Sequence, residues 1–318
     1  GSSITGYVMV YDSIDSKALI VSLNPTLQKT LVFDRFERGG VNRTREYLFN
    51  VGGKGANCAR ILSQLGHKCV YLTQAGGMMK DFFLSELEKD GIPVSWVESH
   101  SEIRFCYTII VADPFEATEI TEHGAAAAAG TDEAVRNRFY ELLEDCGTVV
   151  IAGSRAPGFS SDIYLRMMKE ARDRSRRLIL DLTGTDLKNS LVYSPDLVKI
   201  NLYEFITTFM PDTGLTEQKI GEEWYGQAEE RGRELFDRYG IRFILTNGVR
   251  DTLVIDGEES FRITPETTVP VNPIGSGDAV TGGVTAGLLE GRELRAAAEL
   301  GLECARLNAG LLKIGTIK

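Results

Sequence analysis

The sequence predicts an α/β fold, a mainly parallel sheet covered on both faces by helices, with a second, small β sheet standing off it. Three observations predict it. Short β-rich runs alternate with amphipathic helical stretches over most of the 318 residues, the order that builds right-handed crossovers and a parallel sheet. Two stretches break the alternation and read as antiparallel ribbons with one polar face. Two glycine clusters run straight into helices, at turns where a ligand can approach the backbone closely.

In chain order, residues 3–17 precede the repeating pattern, and the alternating Gly6 to Tyr11 stretch reads as an edge strand or a loose arm. The chain thus divides into an extension over 1–17 and one domain over 18–318. Ala18–Leu23 reads as a strand, Ala56–Leu65 as a helix with Ala59, Ile61, Leu62 and Leu65 on its apolar side, Lys68–Thr73 as a strand and Lys80–Lys89 as a helix. Strands follow at Thr148–Ala152, Arg177–Leu182 and Leu197–Ile200, separated by helices near Ser161–Arg174 and Thr185–Leu191. A long polar helix over about Thr216–Tyr239 leads to the strand Arg242–Leu245. Two helices, about Ala279–Leu289 and Leu294–Leu311, close the chain. The two ribbons are Thr30–Phe36 with Thr44–Phe49, and Phe105–Ala112 with Thr118–Thr121, so the small sheet draws on about 30–49 and 105–121. The alanine run Ala125–Ala129 reads as loop.

Composition narrows the function. A net charge of −10 and a pI near 5.0 argue against nucleic acid or an anionic membrane as partner, so an anionic substrate needs a local basic pocket. Five scattered cysteines without a C-x-x-C spacing read as reduced thiols of a cytoplasmic protein. His67, His100 and His123 lie far apart, which disfavours histidine-based metal or triad chemistry. No apolar run is long enough to span a membrane.

The most informative stretch is Asn272-Pro273-Ile274-Gly275-Ser276-Gly277-Asp278-Ala279. Gly275, Ser276 and Gly277 can turn backbone N–H groups towards one point at the start of a helix, which makes an anion site. Asp278 stands at its mouth. A carboxylate beside a bound phosphate costs electrostatic energy, and accepting a proton from an attacking hydroxyl would justify it. A second cluster, Val51-Gly52-Gly53-Lys54-Gly55-Ala56-Asn57, is no Walker A loop, because Lys54 is followed by Gly55 rather than Ser or Thr. Its glycines allow close approach, and the Asn57 amide suits hydroxyl groups.

Together the two clusters, in this order and separation, resemble the two signatures of the phosphofructokinase-B (ribokinase-like) family of carbohydrate kinases, from about Ala18 onward. The resemblance is closest to the 1-phosphofructokinase and tagatose-6-phosphate kinase branch. It implies a three-layer sandwich with a β lid over the sugar, and transfer of the ATP γ-phosphoryl to a sugar-phosphate hydroxyl with Mg²⁺. Asp278 would be the base and Gly275, Ser276 and Gly277 the anion hole. On the substrate side it implies Gly53, Lys54, Asn57 and Arg104, the last for the phosphate already on the sugar. For the nucleotide it implies Lys199, Asn201, Thr246, Gly248 and Asn308, with Glu204 reaching the metal through water. The Asn201 to Glu204 spacing also fits a plain helix cap. A homodimer formed through the lid is a further expectation.

Two positions depart from the branch. Asn24-Pro25-Thr26-Leu27-Gln28 has Gln28 where the branch carries a sugar-binding aspartate, and Gly153-Ser154-Arg155 has Arg155 where it carries leucine. If Arg155 faces the cleft, the site has lost a negative charge and gained a positive one, which suits a more anionic substrate or different hydroxyl stereochemistry. Two alternatives remain: a kinase for an unphosphorylated sugar or a nucleoside, and a sugar or nucleotide sensor without turnover.

Overall fold

The computed structural model describes residues 14–217 and 220–318. The strand expected around Gly6 to Tyr11 lies outside them. Nine strands form the main sheet. In it β1 (Lys17–Val21) is flanked on one side by β4 (Lys68–Ala75) and β5 (Val94–Glu98), the latter at the edge. On the other side β8 (Thr148–Ala152), β9 (Arg177–Asp181), β10 (Leu197–Asn201) and β11 (Arg242–Asn247) follow in order, all parallel. A hairpin, β12 (Arg250–Asp256) and β13 (Glu259–Ile263), adds two antiparallel edge strands.

The strands are apolar on both faces because both faces are covered. In β1 the alternation divides the residues cleanly. Leu19 and Val21 enter one core, built with helices α3 (Thr131–Leu143), α4 (Ile163–Asp173), α5 (Gly184–Ser190), α6 (Leu202–Phe209) and α7 (Glu223–Tyr239). Ala18 and Ile20 enter the other, built with α1 (Lys54–Gln64), α2 (Lys80–Lys89), α8 (Ser276–Leu289) and α9 (Leu294–Ala309). The chain leaves β1 towards β4 and later returns to its other side as β8. The carboxyl ends of β1 and β8 therefore frame the crevice where such sheets bind ligands.

Several expected boundaries move. The polar helix starts at Glu223 rather than near Thr216, and the closing helix ends at Ala309 rather than Leu311. The helix after the glycine loop starts at Ser276, three residues before the expected Ala279, which brings Asp278 into its first turn. The Ala125–Ala129 segment is loop, as expected, yet Ala127 is buried in the core beside the Pro157 carbonyl that its N–H contacts.

The lid is a four-stranded sheet in the order β3 (Glu46–Gly52), β2 (Thr26–Phe33), β6 (Arg104–Ala112), β7 (Phe115–Thr121). Each ribbon is antiparallel, but β2 and β6 join them in parallel. One face carries Gln28, Thr30, Asn50 and Thr108. The opposite face leaves Tyr47 and Ile120 exposed.

Candidate active site

The glycine loop owes its shape to Gly275, which precedes α8 at φ 84°, in the left-handed region open to glycine. The Ser276 N–H turns back to the Pro273 carbonyl at 3.3 Å. The next N–H groups, of Gly277 and Asp278, lie in the first turn, where a helix offers no acceptor of its own. They point an anion site along the helix axis.

α8 is held tightly. A Cβ on Gly282 would sit 2.7 Å from the Ile61 Cβ of α1, so the small-residue run of α8 reflects close helix contact. That contact carries Asn57 of α1 to Asp278 of α8, where the Asn57 Nδ2 donates to the Asp278 Oδ2 at 2.8 Å. Asp278 is half-buried, and its second oxygen is left for a ligand.

Asn57 therefore does not offer its amide to the open cleft, as expected of a substrate residue. It is 1% exposed, and its Oδ1 accepts from the buried Arg60 at 3.0 Å. Arg60 in turn donates to the carbonyls of Val51, Ile314 and Gly315 and pairs with Asp90 at 2.8 Å. Sequence reasoning missed Arg60. Removing the Asn57 amide leaves part of this buried network unsatisfied. Asn57→Ala is expected to cost about 1–3 kcal/mol of stability, read as a lower denaturant midpoint at unchanged slope. An unchanged midpoint would show that Arg60 and Asp278 do not depend on it.

The other unforeseen residue is Asp181, at the end of β9 and 1% exposed. Its Oδ1 lies 2.7 Å from the Lys54 Nζ, and its Oδ2 3.0 Å from the Lys199 Nζ and 3.1 Å from the Thr281 Oγ1. Burial alone would raise its pKa, but Lys199 and Lys54 outweigh it and hold the carboxylate at about 2. For Lys54, burial would lower the pKa, and Asp181, Asp278 and Glu204 outweigh it and keep the ammonium charged. Lys199 also donates to the Gly277 carbonyl at 2.8 Å. Asp181 thus fixes two cations, one of which grips the anion loop. The signal in the sequence was one carboxylate ending the apolar run Leu178 to Leu180.

A cleft of about 550 Å³ opens from the anion loop. Lys54, Lys199, Asn201, Glu204, Ser276 and Gly277 line one end, and Thr246, Gly248, Pro265 and Ala305 belong to the rest. Asn201 and Glu204 cap α6 reciprocally, at 2.7 and 2.9 Å, while both still line the cleft. The helix cap and a place in the cleft lining coexist. Asn308, expected to pass the adenine, does not line the cleft. It is fully buried and ties the loop together: its Nδ2 donates to Ile274 O and Ser276 Oγ, and its Oδ1 accepts from the Gly315 N–H. α9 still passes the cleft, but through Leu302, Ala305 and Ala309, because helical spacing turns Asn308 inward.

At the switch point, the Asn24 Nδ2 bridges to the Ser154 Oγ at 3.1 Å. Arg155 pairs with Asp186 at 2.7 Å, so its charge is largely cancelled by a neighbour that sequence reasoning had not weighed. Gly53 is the N-cap of α1. Arg104 donates to Thr26 Oγ1 at 2.9 Å and to Glu122 O at 3.3 Å at the lid base. Gln28 is buried in the lid and donates to Thr108 Oγ1 at 2.8 Å.

Residues 20–315 match the sequence pattern described as pfkB family carbohydrate kinase. The fold is shared with a phosphofructokinase-2 variant from Escherichia coli, at 22% identity and a TM-score of 0.83, covering 95% of this chain and 96% of that one. The same enzyme in complex with fructose-6-phosphate superposes with a TM-score of 0.81 at 23% identity, covering 92% and 94%. A possible 1-phosphofructokinase from Thermotoga maritima gives 0.80 at 23% identity, covering 93% of each chain.

Proposed function

The chain belongs to the pfkB family of carbohydrate kinases, and from that premise we propose that it phosphorylates a hydroxyl of a sugar phosphate, of the fructose 1-phosphate or tagatose 6-phosphate type, using ATP. The observation that carries this reading is the position of Asp278. It stands in the first turn of α8, directly after Ser276 and Gly277 of the cleft lining, with one oxygen held by Asn57.

Asp278 takes the proton of the attacking hydroxyl as the new O–P bond forms and the bond from phosphorus to the ADP oxygen breaks. The Gly277 and Asp278 amides stabilise the charge that grows on the transferring group. Lys54 and Lys199, held charged against Asp181, offset the phosphates in a protein that is acidic overall. The cleft fits a nucleotide, with an apolar part along α9 and a polar, cationic end at the loop. Magnesium fits the donor set as well. Glu204 supplies a hard carboxylate oxygen to the cleft lining, and it would hold the ion through water beside the phosphate oxygens. The bound ion would supply charge neutralisation at the phosphates.

Arg104 at the lid base is the residue proposed for the phosphate already on the sugar. Gln28 and Arg155 set the departure from the branch. The Arg155–Asp186 pair removes most of the added charge, so hydroxyl stereochemistry is the more telling difference.

The test is ADP release from MgATP over fructose 1-phosphate, fructose 6-phosphate, tagatose 6-phosphate, their free sugars and nucleosides. Turnover confined to one phosphorylated ketose is expected. Turnover only on a free sugar or nucleoside, or none with ATP binding retained, would overturn the proposal in favour of the other kinase reading or the sensor.

A further inference from the structure

Gln28 removes a carboxylate from the lid strand that faces the sugar in related enzymes, and the lid itself supplies another. Thr30 on β2 pairs with Thr108 on β6, and Thr108 pairs with Glu119 on β7. Partners directly across a ladder share a face. Gln28, two residues before Thr30, lies on the same face, and its bond to Thr108 at 2.8 Å fixes it there. Asn50, opposite Gln28 on β3, completes the row. Glu119 is therefore a single cross-strand step from the residue that Gln28 already holds.

This face is prepared for a polar ligand. The Thr30 Oγ1 and the Asn50 Oδ1 belong to side chains 0% and 3% exposed, and neither has a hydrogen-bond partner among the described residues. Buried polar atoms are rarely left so. Glu119 by contrast is exposed and free to meet a ligand. Among the described residues its carboxylate has no ion-pair or hydrogen-bond partner that would occupy it. Its charged surroundings belong to the active site: dehydration raises its pKa first and Asp278 on α8 adds to that, while Arg104 on β6 and Lys54 on α1 oppose both.

We propose that Glu119 is the substrate-binding carboxylate of the lid, accepting from two sugar hydroxyls in the role that Gln28 has vacated. Moving the acceptor from β2 to β7 shifts it across the lid by two strands, so it selects a different hydroxyl arrangement on the sugar phosphate. Gln28 then positions Thr108 and lends a donor where the aspartate could only accept. This rests on the sugar-phosphate kinase reading above.

The experiment first finds the substrate of the wild type in the panel, then compares Glu119→Gln and the double variant Glu119→Gln with Gln28→Asp. Glu119→Gln is expected to raise the sugar-phosphate KM roughly 10-fold or more, with kcat within a few-fold and the ATP KM unchanged, which also reports an intact fold. The double variant is expected to recover part of that loss. An unchanged sugar KM in Glu119→Gln overturns the proposal and leaves the kinase reading standing. A raised KM without recovery overturns the exchange of roles between the strands. A wild type that turns over no sugar phosphate overturns the kinase reading and this proposal with it.

Discussion

Asp278→Asn is expected to lower kcat by at least ~10²-fold, the usual scale for losing a general base, while ATP binding persists. The substitution is nearly isosteric, so the Asn57 Nδ2 can still donate to the remaining oxygen, as it does at 2.8 Å in the wild type. The cleft and the cations around Asp181 are untouched. What disappears is the capacity to take a proton from the attacking hydroxyl. Steady-state kinetics on the substrate found in the panel, with calorimetric ATP binding as control, would check it. A kcat within about threefold of wild type would place the base elsewhere and would detach the anion loop from the chemistry.

The second large effect is expected at Asp181. Asp181→Asn leaves the Lys54 and Lys199 ammonium groups facing one another without their shared counter-charge, and Lys199 is 3% exposed. Breaking a buried ion pair from one side costs about 3–5 kcal/mol, expected as a fall of roughly 5 °C or more in Tm. Activity should fall too, because Lys199 would lose the partner that orients it on the Gly277 carbonyl. The pH dependence carries its own sign. The folded pKa of Asp181, about 2, lies below the unfolded value near 3.9. Its contribution, on the order of 2 kcal/mol, is present above about pH 4 and lost as pH falls towards 2. The stability gap between wild type and Asp181→Asn should therefore narrow over that window. A constant gap would mean that the carboxylate is not what stabilises the pair.

Much of this protein was legible before its structure. The alternation of apolar strands and amphipathic helices implied the parallel sheet, since strands buried on both faces read as runs such as Ala18 to Val21. The glycine run before Asp278 implied an anion site on a helix, because turn geometry and the helix terminus are local properties. The two lid ribbons were visible in their polar-face alternation. The antiparallel edge strands β12 and β13 were missed, although Asn247-Gly248 and Asp256-Gly257 stand at the two tight turns that lead into them.

Other features depended on neighbours far away in the chain. Asp181 meets Lys54 across 127 positions of sequence, and no pattern around either residue announces the other. Asn57 read as a hydroxyl binder because its amide suits one. Only the close contact of α1 with α8 turned it to Asp278, 221 positions on. Asn308 lies on the expected helix, but the rotation of α9 about its axis, set by packing, decided that Ala305 and not Asn308 lines the cleft. Arg155 looked like a new charge for the substrate until Asp186 was found beside it. The sequence alone thus determined which elements form and where an anion can be held, since backbone propensity, turn chemistry and period are written in adjacent residues. Which side chain faces the cleft, and which charge is already spoken for, was decided by tertiary structure, because hydrogen bonds and ion pairs act over about 3 Å and only folding brings distant residues that close.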